Sequence, residues 1–220
     1  MDFKNIRENI EDVKILSTEK ISDSKYIKPM RVTYMQAGVK KTWDYMKVHD
    51  SVAVLIFNVT SQKVVMVQQF RPAVYMASHS KLEGSNQAPS SSGVTYELCA
   101  GIIDRDASPR EIAASEVFEE TGYKVMEEKL EPIVSFRSGI GVSGNVQHMF
   151  YVEVDDTMKA TDGGGCEHEG EMIDLFHLKL SEIKIFLSDS SKLIKTPSGA
   201  LYALSWFLNN KVNESLKQYL

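Results

Sequence analysis

Ser108-Pro109-Arg110-Glu111 and Gly122 bracket one stretch of this chain more tightly than any other. Ser108 can cap the open amides of a helix, Pro109 suits its first position, and Glu111 can bond back to the Ser108 amide. Gly122 tolerates the left-handed backbone that ends such a helix. The spacing therefore predicts a helix running to Thr121, preceded by a short strand at Val94–Leu98 and the pair Ala100-Gly101. At roughly 3.6 residues per turn, Ala113, Ala114, Val117 and Phe118 share one side of that helix and Glu116, Glu119 and Glu120 the other. Like charges three and four apart cost an isolated helix about 0.2–0.5 kcal/mol per pair. They also stand toward the C-terminal half, where the helix dipole disfavours them. Such a placement asks for a compensating cation, and oxygen-only ligands favour a hard one, Mg²⁺ or Mn²⁺. The bland alternative is a solvated glutamate face. The coincidence of strand, glycine turn, capped helix and glycine stop weighs against it.

Around this helix the chain alternates strands with a few helices, an α/β or α+β layered pattern. Ala37-Gly38 can turn a hairpin between Arg31–Met35 and Lys41–Met46. Ser51–Phe57 and Lys63–Gln69 read as adjacent strands, the first holding the longest apolar run, Val52–Phe57. Met76 to Gly93 is Ser-rich and aperiodic, and reads as a flexible insertion. Pro132–Phe136, Val146–Val154 and Ile173–Leu178 follow as strands, with a Gly-rich bend at 138–144 and an acidic loop opened by Asp162-Gly163-Gly164-Gly165. Leu180–Leu187 and Pro197–Leu208 read as helices.

The chain of 220 residues carries a net charge of −5, which argues against general nucleic-acid binding, since that needs a basic surface. No apolar run approaches the roughly 20 residues that span a bilayer, and the first residues lack an apolar signal core. Two cysteines, Cys99 and Cys166, fit a reducing compartment, so a cytoplasmic location is expected with no membrane partner. Asn58-Val59-Thr60 matches a glycosylation sequon, but without a secretory signal it reads as ordinary sequence.

Ala100-Gly101-Ile102-Ile103-Asp104 followed by Glu116-Val117-Phe118-Glu119-Glu120-Thr121-Gly122-Tyr123 resembles the Nudix box, Gx5Ex7REUxEExGU with U aliphatic. Two positions depart from it: Ala107 stands where the family has its first Glu, and Ser115 where it has the Arg that braces a catalytic glutamate. The resemblance implies an α/β/α sandwich around a mixed sheet and metal-dependent hydrolysis of a nucleoside diphosphate linked to another group. Gln69-Phe70-Arg71-Pro72 and Glu97-Leu98-Cys99-Ala100-Gly101 are similar to the ADP-ribose and nucleotide-sugar pyrophosphatase branch. Thr42-Trp43-Asp44-Tyr45-Met46-Lys47, His49-Asp50-Ser51-Val52, Ser205-Trp206-Phe207-Leu208 and the 163–171 loop resemble, more narrowly, the animal UDP-glucose pyrophosphatases.

What the resemblance implies is carried over by position. Metal ligands fall on the Ala100 carbonyl, Glu116 and Glu120, with Glu119 a further candidate and Mg²⁺ the expected cofactor, Mn²⁺ a possible substitute. A later-loop carboxylate that binds metal or activates water falls on Glu171, with Glu169 second; the bland alternative is a mobile acidic loop. Arg71 matches an arginine that grips the diphosphate, and its alternative is a surface ion pair. Trp43 matches a tryptophan that stacks on the base, and its alternative is hairpin packing. The expected catalytic set is Glu116, Glu120 and Glu171. The expected organisation is an N-terminal β region over 1–48, with a hairpin for dimerisation and base stacking, then a Nudix domain over 49–212 with its insertion at 76–93, and a tail at 213–220. The partners implied are a nucleotide sugar and a second copy of the chain. The reaction implied is hydrolysis of a UDP-sugar, chiefly UDP-glucose, to UMP and a sugar 1-phosphate. Its rivals are an ADP-ribose pyrophosphatase giving AMP and ribose 5-phosphate, and a nucleotide-sugar binding protein whose catalysis has decayed.

Overall fold

The computed structural model describes residues 13–21, 24, 26–79, 89–166, 168, 170–212 and 216. Two sheets form. The hairpin β1 (Lys28–Gln36) and β2 (Val39–Lys47) stands alone as a two-stranded sheet. Its turn is built by Ala37 and Gly38, with φ of 51° and 75°, the paired left-handed residues that match the twist of a two-residue hairpin.

The second sheet has seven strands: β3 (Ser51–Asn58), β4 (Lys63–Phe70), β5 (Val94–Glu97), β6 (Cys99–Ile102), β7 (Glu131–Arg137), β8 (Val146–Val154) and β9 (Asp174–Lys179). It is mixed, because β3 and β8 run parallel while the other pairings are antiparallel. β3 and β4 pair only at their turn end, Ile56–Asn58 with Lys63–Val65, and then diverge. Residues 94–102 enter that fork: β5 pairs with Val67–Phe70 and β6 with Ser51–Val54. The chain thus crosses from one parted strand to the other at Leu98, which is buried.

β3 explains the layering. Ala53, Leu55 and Phe57 face a core shared with Leu204 and Phe207 of the helix Ser198–Asn210, and with Ile183 and Phe186 of the short helix Ile183–Phe186. Val52, Val54 and Ile56 face a second core with Ile112, Ala113 and Val117. A strand buried on both faces reads as one continuous apolar run, which is what Val52–Phe57 is. Helices therefore cover both faces, the α/β/α sandwich.

The helices among the described residues include, in chain order, α1 (Pro72–His79), α2 (Pro109–Thr121), α3 (Ile183–Phe186), α4 (Ser190–Leu193) and α5 (Ser198–Asn210). α1 and the 3₁₀ turn Ser90–Gly93 correct the reading of 76–93 as wholly irregular; residues 80–88 lie outside the described residues. The missed helix is short and starts on a proline after Arg71, so it carries little periodic signal. Gly101, expected as a turn, lies within the strand Cys99–Ile102 because β3 leaves an edge open to it. Asn58 is 2% exposed and its amide donates to Tyr123 and Asp156, so the sequon nitrogen is committed inside the fold.

Candidate active site

α2 begins and ends as its local chemistry dictates. Ser108 Oγ accepts from the Glu111 amide at 3.1 Å, and Gly122, at φ 72°, donates its amide to the Phe118 carbonyl. Its rotation differs from the expectation. Phe118 is 40% exposed, whereas Glu120 is only 2% exposed, packed in with Val117 and Thr121. The physical reason is β6: the helix lies across that strand, so the stripe that touches the protein includes two carboxylates.

Both carboxylates rest on the backbone of β6. The Ala100 amide donates to Glu120 Oε2 at 3.1 Å. Ala100 and Ala53 face each other in the antiparallel ladder, but the Ala100 amide is spent on Glu120 rather than on β3. In a strand a residue's N–H and C=O leave by the same edge, so the Ala100 carbonyl also points to the Glu120 side. Gly101 follows, and a Cβ there would fall inside the Glu116 carboxylate. The glycine is therefore required by close approach.

This geometry loads Glu120 electrically. Burial, and then the charges of Glu116 and Glu171, push its pKa from an ordinary 4.5 up to about 8, against the pull of hydrogen bonds from the Cys99 thiol and the Ala100 amide. Burial also pushes the Cys99 thiol up. A carboxylate that resists ionisation because it is buried, with other carboxylates facing it, is part of a donor set that a hard divalent cation would relieve. The residues fit such an ion. Among the described residues no three His, Cys, Asp or Glu side chains already converge on one point. Glu119 does not join the pair; it lies on the exposed side of α2, although its carbonyl accepts from Gly165.

Gly163, Gly164 and Gly165 close the C-terminus of α2. All three have positive φ, and the amides of Gly164 and Gly165 donate to the Glu120 and Glu119 carbonyls at 2.9 and 3.1 Å. The glycines allow contact between this segment and the helix end, where a Cβ on Gly163 would strike the Glu120 backbone. From there Glu171 folds back, its Oε2 accepting from the Cys166 amide at 2.9 Å. Glu171 is near enough to raise the pKa of both Glu120 and Arg71. Glu169, the second loop candidate, lies outside the described residues.

Arg71 is in the same neighbourhood but already paired. Its Nε and Nη2 donate to Glu97 Oε1 and Oε2 at 2.9 and 2.7 Å, and Thr95 Oγ1 donates to the same carboxylate. Glu97 is 8% exposed, and its pairing holds the guanidinium in one orientation and raises the Arg71 pKa. Arg71 is thus ion-paired, but to a buried carboxylate rather than to a surface one. Glu97 is the residue to which sequence reasoning gave no role, and a carboxylate at a strand position two after Thr95 was the available signal for it. Cys99 is buried in the strand ahead of the helix.

Trp43 is not brought to the glutamates by any contact of its own. It sits on the hairpin, 55% exposed, with its indole N–H donated to the Gly141 carbonyl at 3.0 Å. The Met46 amide donates to Val142 in the same loop. Ser115 accepts from Arg105 at 2.8 Å, so a guanidinium still reaches the helix position that lacks its arginine.

Residues 47–195 match the NUDIX domain family. The chain belongs to that family. Among curated proteins it is 38% identical to the uridine diphosphate glucose pyrophosphatase NUDT14 of Bos taurus, covering 91% of this chain and 96% of that one. It is 40% identical to the protein of that name from Mus musculus, over 86% and 91%. The GDP-mannose pyrophosphatase of Cronobacter sakazakii is more distant, at 33% identity over 59% of this chain. The described helices include none long and apolar enough to cross a membrane.

Proposed function

We propose that this Nudix protein hydrolyses UDP-sugars, chiefly UDP-glucose, to UMP and the sugar 1-phosphate. The observation that carries the reading is the seam in which Glu116 and Glu120 lie against Gly101 and Ala100 with a raised Glu120 pKa. Two relatives named as UDP-glucose pyrophosphatases, similar along most of the chain, support the choice of substrate.

Glu116, Glu120 and the Ala100 carbonyl would hold Mg²⁺, with Mn²⁺ able to substitute and Glu171 close by. When bound, the cation neutralises the diphosphate and lowers the pKa of a water. Arg71, oriented by Glu97, grips the diphosphate and aligns it, which matters because phosphoryl transfer depends on positioning and charge stabilisation. Glu171 takes the proton of the attacking water once it releases the Cys166 amide, and Glu169, next in line among the loop carboxylates, is the further residue proposed to contact substrate. Trp43 offers a ring for the base; stacking alone does not choose uracil over another base.

The hairpin supports a homodimer. Met30, Val32, Tyr34, Trp43 and Tyr45 share one face of β1–β2 by register, and the first four are between 37% and 55% exposed. A two-stranded sheet is marginal in water by itself, and an apolar face of this kind marks an interaction surface. The two unpaired cysteines fit a cytoplasmic enzyme.

The test is a substrate panel with Mg²⁺ and Mn²⁺. UDP-glucose should yield UMP faster than ADP-ribose yields AMP, and Glu120→Gln should lower kcat by about 10²–10³-fold. A Glu120→Gln protein as fast as wild type would remove the metal assignment. Faster turnover of ADP-ribose would move the substrate.

A further inference from the structure

We infer that the cavity at the open end of the hairpin, lined by Tyr26, Lys28, Lys47, Val48 and His49, binds a phosphate-bearing small molecule without the help of a divalent cation. The cavity holds about 350 Å³. Its lining contains two lysines and a histidine, and no acidic side chain among the described residues.

The register makes the charge placement unusual. Lys28 and Lys47 are directly opposite one another in the antiparallel ladder, which puts their side chains on one face with Cβ atoms about 4.5–5.5 Å apart. Like charges in that position are destabilising. Elsewhere the same hairpin does the reverse: Arg31 faces Asp44, and the two form a bidentate pair at 2.6 and 2.7 Å. Neither Lys28 nor Lys47 forms an ion pair among the described residues. Asp50, next after His49, accepts from the Val146 amide through Oδ1 at 2.7 Å and is not part of the cavity lining.

Two ammonium groups and an imidazole around one concavity suit the several oxygens of a phosphate. Tyr26, 60% exposed at the rim, adds an aromatic wall, so a phosphate attached to a flat ring fits better than a bare one. The site is separate from the glutamate seam in its lining and opposite to it in charge. His49 precedes β3 and stands four positions before Ala53, which is opposite Ala100, so the chain between them spans at most roughly 14 Å. The phosphate can therefore belong to the far end of the bound nucleotide sugar or to a second molecule.

The probes are UMP and inorganic pyrophosphate, titrated calorimetrically into the full chain in EDTA, where the carboxylate seam repels phosphate. Wild type should bind UMP more tightly than pyrophosphate, and added salt should weaken both. Lys28→Gln with Lys47→Gln should weaken UMP by about tenfold or more, while Lys28→Arg with Lys47→Arg retains it. Tyr26→Leu should weaken UMP alone. Equal melting temperatures confirm the fold of each variant, and the Lys47→Gln single variant serves if the double one is unstable. No metal-free binding by wild type, or binding indifferent to both lysines, would overturn the inference. In Mg²⁺, a raised KM for UDP-glucose in the double variant assigns the phosphate to the substrate; an unchanged KM assigns it to a second phosphorylated ligand. The metal-free titration does not depend on turnover, so loss of the proposed activity leaves it standing.

Discussion

Glu120 in the α2–β6 seam is 2% exposed and Trp43 on the hairpin is 55% exposed, yet each reaches across the fold by a hydrogen bond to another segment's backbone. Glu120 accepts from Ala100, and the carbonyl end of its helix is closed by Gly122, Gly164 and Gly165. Trp43 donates to Gly141, and its strand is held there once more through Met46. In the seam, the unfavourable term is electrostatic: carboxylates buried together. In the hairpin it is apolar surface left in water. Each region keeps a cost among its described residues, and the kind of cost is what supports the proposed cation for one and the proposed second copy for the other.

The seam should be the more fragile under substitution. Gly101→Ala drives a methyl into the Glu116 carboxylate, and displacing a ligand by about 1 Å is enough for a loss of about 10²-fold. Steady-state kinetics should show that loss in kcat, with circular dichroism unchanged. Activity near wild type would mean that Glu116 is free to leave Gly101 and that the seam is not a rigid site.

A pH titration in EDTA sharpens the electrostatic side. The folded pKa of Glu120 is raised from 4.5 to about 8, so the folded state binds more protons than the unfolded one between those values. Its stabilising protonation is present below the unfolded pKa and is lost as pH rises through about 8. Urea unfolding of the metal-free protein should show stability falling over that window by on the order of a few kcal/mol. Added Mg²⁺ should flatten the slope by favouring the ionised form.

Glu97→Gln tests the pairing beside the seam. Leaving Arg71 without its carboxylate should cost about 1–3 kcal/mol, toward the lower end because the Arg71 side chain is 45% exposed and screened by solvent. KM should rise more than kcat falls. If kcat alone changes, Glu97 acts on the reacting centre and not through Arg71.

On the hairpin, Trp43→Ala should change monomer stability by no more than about 0.5 kcal/mol while weakening association of the proposed dimer by about tenfold or more, read by sedimentation at several concentrations. A variant as dimeric as wild type would take the aromatic face out of the interface.

Much of the fold was legible because its signals are local. The cap at Ser108, the stop at Gly122, the turn at Ala37-Gly38 and the apolar strand Val52–Phe57 each rest on backbone chemistry or periodicity within a few residues. The glutamate spacing was legible for the same reason. Its rotation was not: which of Phe118 and Glu120 turns inward depends on β6 lying beneath the helix. The triple glycine was read as possible mobility; in the fold it is the place where backbone meets the end of α2. The Arg71–Glu97 fork joins residues 26 apart, brought together by strands that pair antiparallel.

Sequence alone therefore determined most of the elements and the carboxylates they carry, because hydrogen bonding along the backbone and the period of side chains are short-range; α1 and the strand at Gly101 are the exceptions. Tertiary structure alone decided which carboxylate is desolvated, which cation is already paired and which lysines stand together unopposed. Those properties depend on low dielectric and on neighbours supplied by distant strands, and no stretch of chain contains them until it is packed.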